Sequence, residues 1–258
     1  MGKVAFITGA GGYIGREIAV TYAKGGIKVA VCDISEKALE VTLKEIEKVG
    51  GNAKPYVADV SNATEITETI NRAAEDFGEL DILVHSAGGS AAITKMEGLT
   101  YAHLTERDDL DVIEKVISIN LLGAIWCSRA AGRIMKKQAG GGKIVFLSSA
   151  TAVNGIENCC DYVASKGGIM SLTKALAKEM GRDGINVMCV APGCVPRPGA
   201  NLDDHYKYGT NFINKMCLAS DVADLVDFLT SDKNNFITGQ TYVIDGGRTL
   251  ALKGTDGD

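Results

Sequence analysis

Short runs of apolar residues recur along the chain and are separated by longer, mixed segments. Each run is nearly continuous in apolar residues, which is the pattern of a strand buried on both faces of a parallel sheet. Seven such runs predict strands at 3–8, 28–32, 53–58, 80–86, 142–149, 185–192 and 241–245.

The segments between the early strands carry apolar residues at helical spacing. Amphipathic helices are predicted at "REIAVTYAKGG" (16–26), "EKALEVTLKEIEKVG" (36–50) and "ATEITETINRAAEDFG" (63–78). Each ends in glycine, which helix C-termini favour. Strands that alternate with helices form a parallel sheet covered on both faces. We therefore predict an α/β fold, a doubly wound parallel sheet of about seven strands, in a single domain covering 1–258.

Size and charge narrow the range of partners. The chain has 258 residues, 46% hydrophobic and 23% charged, which is ordinary for one globular domain. A net charge of -5 argues against nucleic-acid binding, which needs a basic face. No apolar run approaches the ~18 residues of a membrane span, and the N-terminus lacks a signal-peptide cleavage site. We expect a cytoplasmic protein that binds neither nucleic acid nor membrane.

The cysteines argue against a metal site. There are seven, none in a C-x-x-C pattern, with only three histidines to assist them. Free thiols in apolar segments suit a reducing cytoplasm. Cys159 and Cys160 are expected to be small buried side chains near a helix start, with reactive thiols as the alternative.

A glycine-rich loop, "TGAGGYIG" from Thr8 to Gly15, follows the first predicted strand and precedes the first helix. This is the context of a dinucleotide-binding turn. Gly9 permits the tight turn, Gly12 lets the backbone approach a pyrophosphate, and Gly15 lets the helix pack closely. The helix N-terminus then offers N–H groups to phosphate.

Asp33 ends the second predicted strand and bears on the choice of cofactor. A carboxylate there accepts hydrogen bonds from the adenosine ribose hydroxyls and repels a 2′-phosphate. No lysine or arginine occurs at 10–12, and Arg16 is expected on the helix surface. NAD is therefore favoured over NADP.

The stretch "DYVASK" (161–166) places Tyr162 and Lys166 four residues apart. On a helix both lie on one face. A nearby cation lowers the pKa of a phenol, so the pair could move a proton to or from an alcohol oxygen. These six residues alone leave open a second interpretation, an exposed helix face with a half-buried ring.

An ordered set of motifs resembles the short-chain dehydrogenase/reductase family, whose fold is of the Rossmann type. The set comprises "TGAGGYIG" (8–15), "ADV" (58–60), "HSAG" (85–88), "SIN" (118–120), "LSS" (147–149), "YVASK" (162–166), "APG" (191–193) and "ITGQTYVIDGG" (237–247). Each motif is weak alone, but the order and context are specific and cover essentially the whole chain.

The resemblance implies four catalytic residues. Tyr162 would be the general acid/base on the substrate oxygen, and Lys166 would lower its pKa and bind the nicotinamide ribose. Ser149 would hydrogen-bond the same substrate oxygen, with Ser148 as the nearby alternative. Asn120 would hold a water that links Lys166 to solvent.

The glycine loop, Asp33 and the resemblance together imply a cofactor site and no metal. The predicted cofactor-binding residues are Gly9, Gly12, Tyr13, Ile14, Gly15, Asp33, Asp59, Val60, Ser86, Ala87, Gly88, Tyr162, Lys166, Pro192, Gly193 and Val195.

Three departures from the family pattern stand out. The loop reads T-G-x-x-G-x-x-G, typical of the family's extended branch, whereas the length and remaining motifs fit the compact branch. "HSAG" replaces N-N-A-G, and we expect a structural role for His85. Arg197 stands where a threonine or serine often contacts the cofactor, and could bind an anionic substrate, bind the pyrophosphate, or lie exposed.

The segment 194–218 is predicted to be a polar substrate lid. It favours a small polar substrate such as a sugar, sugar acid or polyol. Alternatives are a 3-oxoacyl-thioester or hydroxysteroid substrate, an epimerase-like enzyme with tightly held NAD, and a non-enzymatic NAD-binding regulator. The resemblance also implies a homotetramer, or a dimer, formed through the helices that hold Asn120 and Tyr162, with close packing at 167–168.

Overall fold

The computed structural model describes residues 2–90, 103–108, 110–197, 199 and 211–250. Within these ranges the strands are β1 (Val4–Thr8), β2 (Lys28–Asp33), β3 (Ala53–Val57), β4 (Ile82–His85), β5 (Gly142–Leu147), β6 (Ile185–Pro192) and β7 (Thr241–Ile244). They form one parallel sheet in the order β3-β2-β1-β4-β5-β6-β7. The predicted strands are thus all present, in a single sheet.

The helices connect consecutive strands. They are α1 (Tyr13–Lys24), α2 (Glu36–Lys48), α3 (Ala63–Phe77), α4 (Leu110–Ile117), α5 (Gly123–Met135), α6 (Thr151–Asn154), α7 (Cys160–Met180) and α8 (Ala219–Thr230). A π-helical turn, Ser118–Leu122, joins α4 to α5 without a break. Short 3-10 turns lie at Leu104–Glu106, Gly181–Asp183 and Arg248–Leu250.

Two apolar clusters occupy the two faces of the sheet. Helices α3, α5 and α7 pack on one face, and α1, α2 and α8 pack on the other. The fold is therefore the doubly wound, Rossmann-type α/β domain that the strand–helix alternation predicts.

The edge strands differ from the prediction that every strand is buried on both faces. In β3 only Tyr56 is buried, and β7 contains no fully buried residue. Each pairs with one neighbour in the described sheet. Proline has no N–H to donate to a neighbouring strand. Pro55 is tolerated in β3 because one side of an edge strand has no partner strand.

Strand order reverses direction between β1 and β4, because β2 and β3 lie on one side of β1 and the later strands lie on the other. Loops that leave the carboxyl ends at such a switch point diverge and open a crevice, where ligands bind in this architecture. Among the described ranges no helix is both long and apolar enough to cross a membrane. Nor do three or more metal-ligating side chains cluster anywhere in that part of the chain.

Candidate active site

A cavity of about 820 Å³ opens at the carboxyl ends of β1, β2, β4, β5 and β6. Its wall contains Gly9, Gly12, Tyr13, Ile14, Gly15, Asp33, Asp59, Val60, Ser86, Ala87, Gly88, Ser149, Tyr162, Lys166, Pro192, Gly193 and Val195. The structure thus brings together every residue predicted for the site except Asn120. Those residues are contributed by stretches of the chain that are up to 186 positions apart, from Gly9 to Val195.

The glycine loop forms one end of the cavity. Helix α1 begins at Tyr13, three residues earlier than predicted, and its N-cap Gly12 supplies no side-chain cap. The first N–H groups of α1 are therefore directed at the cavity, as an anion site requires. A Cβ added to Gly15 would lie 2.3 Å from the Gly9 carbonyl oxygen, so only glycine permits this approach of helix to loop. The cradle fits the pyrophosphate of a dinucleotide.

Asp33 lies at the end of β2 beside this loop. One carboxylate oxygen accepts the N–H of Gly11 and the other accepts the N–H of Ser35, each at 3.0 Å. These bonds hold the carboxylate at the cavity wall. Arg16 is half-buried on helix α1, and its guanidinium donates to the Gly11 carbonyl at 2.7 Å and to the Thr42 hydroxyl at 3.2 Å.

Tyr162 and Lys166 lie on the first two turns of α7, as the i, i+4 spacing predicts. Lys166 is 4% exposed, and its Nζ donates to the Leu147 carbonyl at 2.8 Å. The same Nζ lies 5.9 Å from the centroid of the Tyr162 ring. Burial lowers the pKa of Lys166 to about 8, since little water remains to stabilise its charge.

The two serines after β5 have different partners. The Ser148 hydroxyl donates to the main-chain carbonyl of Lys166 at 2.7 Å and so joins β5 to α7. The Ser149 hydroxyl pairs with the Thr151 hydroxyl at 2.8 Å and accepts the Thr151 N–H. Both serines border the cavity, but only the Ser149 hydroxyl is held by a neighbouring hydroxyl that can rotate.

Asn120 lies behind the cavity wall and is fully buried in the π-helical turn. Its side-chain oxygen accepts the Gly89 N–H at 2.8 Å, and its amide nitrogen donates to Ser165 at 3.0 Å. A Cβ added to Gly88, where φ is +133°, would lie 2.1 Å from that side-chain oxygen. Asn120 therefore ties the loop after β4 to α7, behind the predicted catalytic pair.

His85 ends β4 and lies outside the cavity wall. It is fully buried, and its Nδ1 pairs with the Thr8 hydroxyl at 3.0 Å. The same Thr8 oxygen accepts the Ala87 N–H at 3.2 Å. Burial, reinforced by the Lys166 charge, lowers the pKa of His85 to about 3, so the imidazole is neutral near pH 7. These contacts agree with a structural role.

Several residues of the wall were missed by sequence reasoning. They are Gly11, Ile34, Ser35, Ala38, Ala58, Gly89, Ser90, Lys115, Ile119 and Leu147. Ile34 carried a usable signal in the sequence, because it is an apolar residue directly after Asp33; in the structure it is 68% exposed and borders the cavity. No comparable signal marked Lys115, which enters the wall from α4. Arg197 also lines the cavity.

Two further predictions have different outcomes. Nearly half of the predicted lid 194–218, namely 198 and 200–210, lies outside the described residues. Cys159 and Cys160 are not buried as expected, because Cys159 is half-buried and Cys160 is exposed at the start of α7.

Comparison with known proteins places this site in context. Residues 3–202 match the family model for short chain dehydrogenases. The chain is 37% identical over 255 residues to the 3-oxoacyl-acyl-carrier-protein reductase FabG of Staphylococcus aureus, covering 96% of this chain and 98% of that protein. It is 33% identical over 263 residues to a diacetyl reductase of the (S)-acetoin-forming type from Staphylococcus epidermidis, with coverage of 96% and 98%. It superposes on the structure of an NAD+-bound xylitol dehydrogenase with a TM-score of 0.86 and 28% identity, over 95% and 98% of the two chains.

The chain belongs to the short-chain dehydrogenase/reductase family, and the resemblance read from its motifs is confirmed. It is an oxidoreductase of that family, with alcohol dehydrogenases and oxoacyl reductases among its relatives.

Proposed function

We propose that the protein is an NAD-dependent oxidoreductase that interconverts a secondary alcohol and a ketone on a small polar substrate. The observation that carries this proposal is the convergence of Ser149, Tyr162 and Lys166 on the wall of one cavity whose other end is the glycine loop. A hydroxyl, a phenol and a buried ammonium in one place can hold and protonate a substrate oxygen.

Each side chain has a distinct task in this mechanism. When bound, the nicotinamide cofactor supplies the hydride acceptor or donor. Tyr162 takes the hydroxyl proton of an alcohol, or gives one to a ketone. Ser149 donates a hydrogen bond to the same substrate oxygen as its charge develops. Lys166 stabilises the phenolate form of Tyr162 with its positive charge.

Asn120 supports this arrangement from behind. Because it bonds both the Gly89 N–H and the Ser165 hydroxyl, it fixes the distance between the loop after β4 and the helix that carries the base. The water-holding role that the resemblance implies for Asn120 remains part of the proposal.

The preference for NAD rests on Asp33. Its carboxylate is held at the cavity wall by two backbone N–H groups, where it would accept ribose hydroxyl protons and repel a 2′-phosphate. Arg16 is bonded to the loop carbonyl and to Thr42, which further supports NAD because its guanidinium is engaged elsewhere. The NAD+ bound in the similar xylitol dehydrogenase points the same way.

A small polar substrate, such as a sugar, sugar acid or polyol, is supported by the polar residues of the wall, which include Ser90, Ser149 and Arg197. The similarity to a xylitol dehydrogenase and a diacetyl reductase adds support. A 3-oxoacyl thioester remains the main alternative, because a relative named for that reaction is 37% identical.

The test is steady-state turnover across sugars, sugar acids, polyols, hydroxysteroids and 3-hydroxyacyl thioesters, with NAD and NADP in parallel. We expect turnover of a polar alcohol with NAD, and its loss in Tyr162→Phe. Asp33→Asn should reduce the ratio of kcat/KM for NAD to that for NADP by about tenfold or more, from the removal of one like-charge repulsion. Turnover of thioesters alone would favour the alternative substrate. NAD that co-purifies without turnover of any compound would favour an epimerase-like enzyme or a regulator.

We also propose a cytoplasmic homotetramer, or a dimer, supported by the family assignment and by seven cysteines that are all free. The two glycines predicted to allow subunit packing differ. A Cβ on Gly168 would meet Leu121 of the same chain, so Gly168 allows packing within the subunit, whereas Gly167 faces open space. Light scattering on the purified protein gives the subunit number.

A further inference from the structure

A buried ion pair adjoins the first turn of α7. Arg107, which follows the 3-10 turn before α4, places its Nη1 3.0 Å from an Asp161 oxygen. The two side chains are 11% and 7% exposed. They are 54 residues apart in sequence, so the contact joins the segment before α4 to the helix that carries Tyr162.

The other oxygen of Asp161 replaces a missing helix cap. The N-cap Cys159 provides no side-chain hydrogen bond, and the Asp161 carboxylate accepts the Tyr162 N–H at 2.8 Å. A carboxylate in the first turn also interacts favourably with the positive end of the helix dipole. The backbone of Tyr162 is thereby fixed by a side chain that Arg107 fixes in turn.

The Tyr162 ring is held from the same direction. It packs against Val112 and Val116 of α4, the helix that begins three residues after Arg107. Tyr162 is therefore held in two ways: Arg107 acts on its backbone through the Asp161 carboxylate, and α4 packs against its ring.

We propose that Arg107 and Asp161 are positioning residues for Tyr162, which fix the first turn of α7 and balance the charge beside the phenol. This proposal rests on the function proposed above for Tyr162. Neither residue borders the cavity, so both act through the tyrosine rather than on the substrate.

Other charges near this turn have less influence. The elements packed against it carry the exposed groups His103, Glu106, Asp108, Asp111, Glu114, Lys115 and Glu157. Solvent and salt screen exposed charges strongly, whereas a nearly buried pair is screened far less. The buried cation Lys166 of α7 acts on the phenol equally in every variant. The thiols of Cys159 and Cys160 lie at the start of the same helix, before Asp161.

The experiment measures phenolate formation by ultraviolet titration, as the difference between each protein and its Tyr162→Phe counterpart, alongside kcat and KM. Arg107→Gln removes a positive charge and should raise the phenol's titration midpoint by about one pH unit. Asp161→Asn removes a negative charge and should lower it by a similar amount. The double variant should return towards the parent value, and Arg107→Lys should retain it.

For turnover, we expect Arg107→Gln to lower kcat by about tenfold or more and to change KM for NAD much less, because most of the predicted cofactor-binding residues lie on elements other than α7. Arg182→Gln, an exposed arginine beyond the far end of α7, is the matched control. The proposal would be overturned if the midpoints of Arg107→Gln and Asp161→Asn stay at the parent value, or if both move in the same direction. If Arg107→Gln fails to fold, Arg107→Lys and Asp161→Asn carry the same comparison.

The proposed function and the proposed role of the ion pair can be refuted independently of each other. Absence of Tyr162-dependent turnover in the parent would refute the proposed function. The spectroscopic titration needs no substrate, and it would still decide whether the ion pair controls the phenol.

Discussion

Lys166 should make the folded protein less stable at neutral pH than a neutral residue would. Its side chain is 4% exposed, and burial lowers its pKa from 10.5 to about 8. Each pH unit corresponds to about 1.4 kcal/mol. Keeping the charge in this site therefore reduces the free energy of unfolding by about 3 kcal/mol at pH 7.

The direction of the pH dependence follows from the lowered pKa. Between about pH 8 and 10.5 the unfolded chain binds more protons at this lysine than the folded protein does, so the stability of the protein rises with pH in that window. Below pH 8 both states are protonated and the full penalty applies.

Lys166→Met retains the apolar stem and removes the charge. It also removes the hydrogen bond to the Leu147 carbonyl, worth about 1 kcal/mol. We therefore expect the variant to be more stable by about 2 kcal/mol at pH 7, with the advantage close to zero at pH 10. Activity should be lost at both pH values.

Urea unfolding at pH 7 and pH 10, with reductant present, measures this effect. Both proteins should carry Tyr162→Phe, so that ionisation of the neighbouring phenol does not contribute. The reasoning is refuted if Lys166→Met is the less stable protein at pH 7, or if the difference between the two is the same at both pH values.

Four further variants test other parts of the site. Ser149→Ala should lower kcat by about 100-fold with stability nearly unchanged. Ser148→Ala should instead lower the free energy of unfolding by about 1 kcal/mol, because it loses the hydrogen bond to α7. Steady-state kinetics measures the first effect and urea unfolding measures the second. His85 has a folded-state pKa of about 3, below the unfolded value of 6.5, so its contribution is complete above pH 6.5 and is lost as pH falls towards 3. His85→Gln should flatten that part of the stability profile, and an unchanged acid transition would contradict this. Gly88→Ala should displace Asn120 and destabilise the protein by about 1–3 kcal/mol; a crystal structure with Asn120 unmoved would refute the steric argument.

Local patterns were sufficient to predict much of this molecule. Apolar runs predicted the seven strands of the described sheet. For the central strands the runs are continuous because a parallel sheet excludes water on both faces. The loop at Gly9 to Gly15 and the pair Tyr162 and Lys166 were visible because their chemistry depends on near neighbours in sequence.

What the sequence did not reveal depends on distant contacts. Arg107 and Asp161 look like ordinary surface charges, and only the fold brings them together with little exposure. Asn120 was predicted from the resemblance, but its position behind the wall follows from the π-helical turn, for which no local pattern was recognised. The exposure of β3 follows from strand order, which composition does not encode.

The reversal of strand order between β1 and β4 has a consequence for how the protein can be modified. The loop after β1, the end of β2 and the loop after β3 supply the glycine cradle, Asp33 and Asp59, whereas the loop after β5 and the end of β6 supply the serines and Pro192. The residue proposed to choose between NAD and NADP, Asp33, therefore lies in an early stretch of the gene, whereas the proposed catalytic residues Ser149, Tyr162 and Lys166 lie in a later one. A chimera that exchanges only the first sixty codons with a relative would inherit a new cofactor preference while keeping its own reaction.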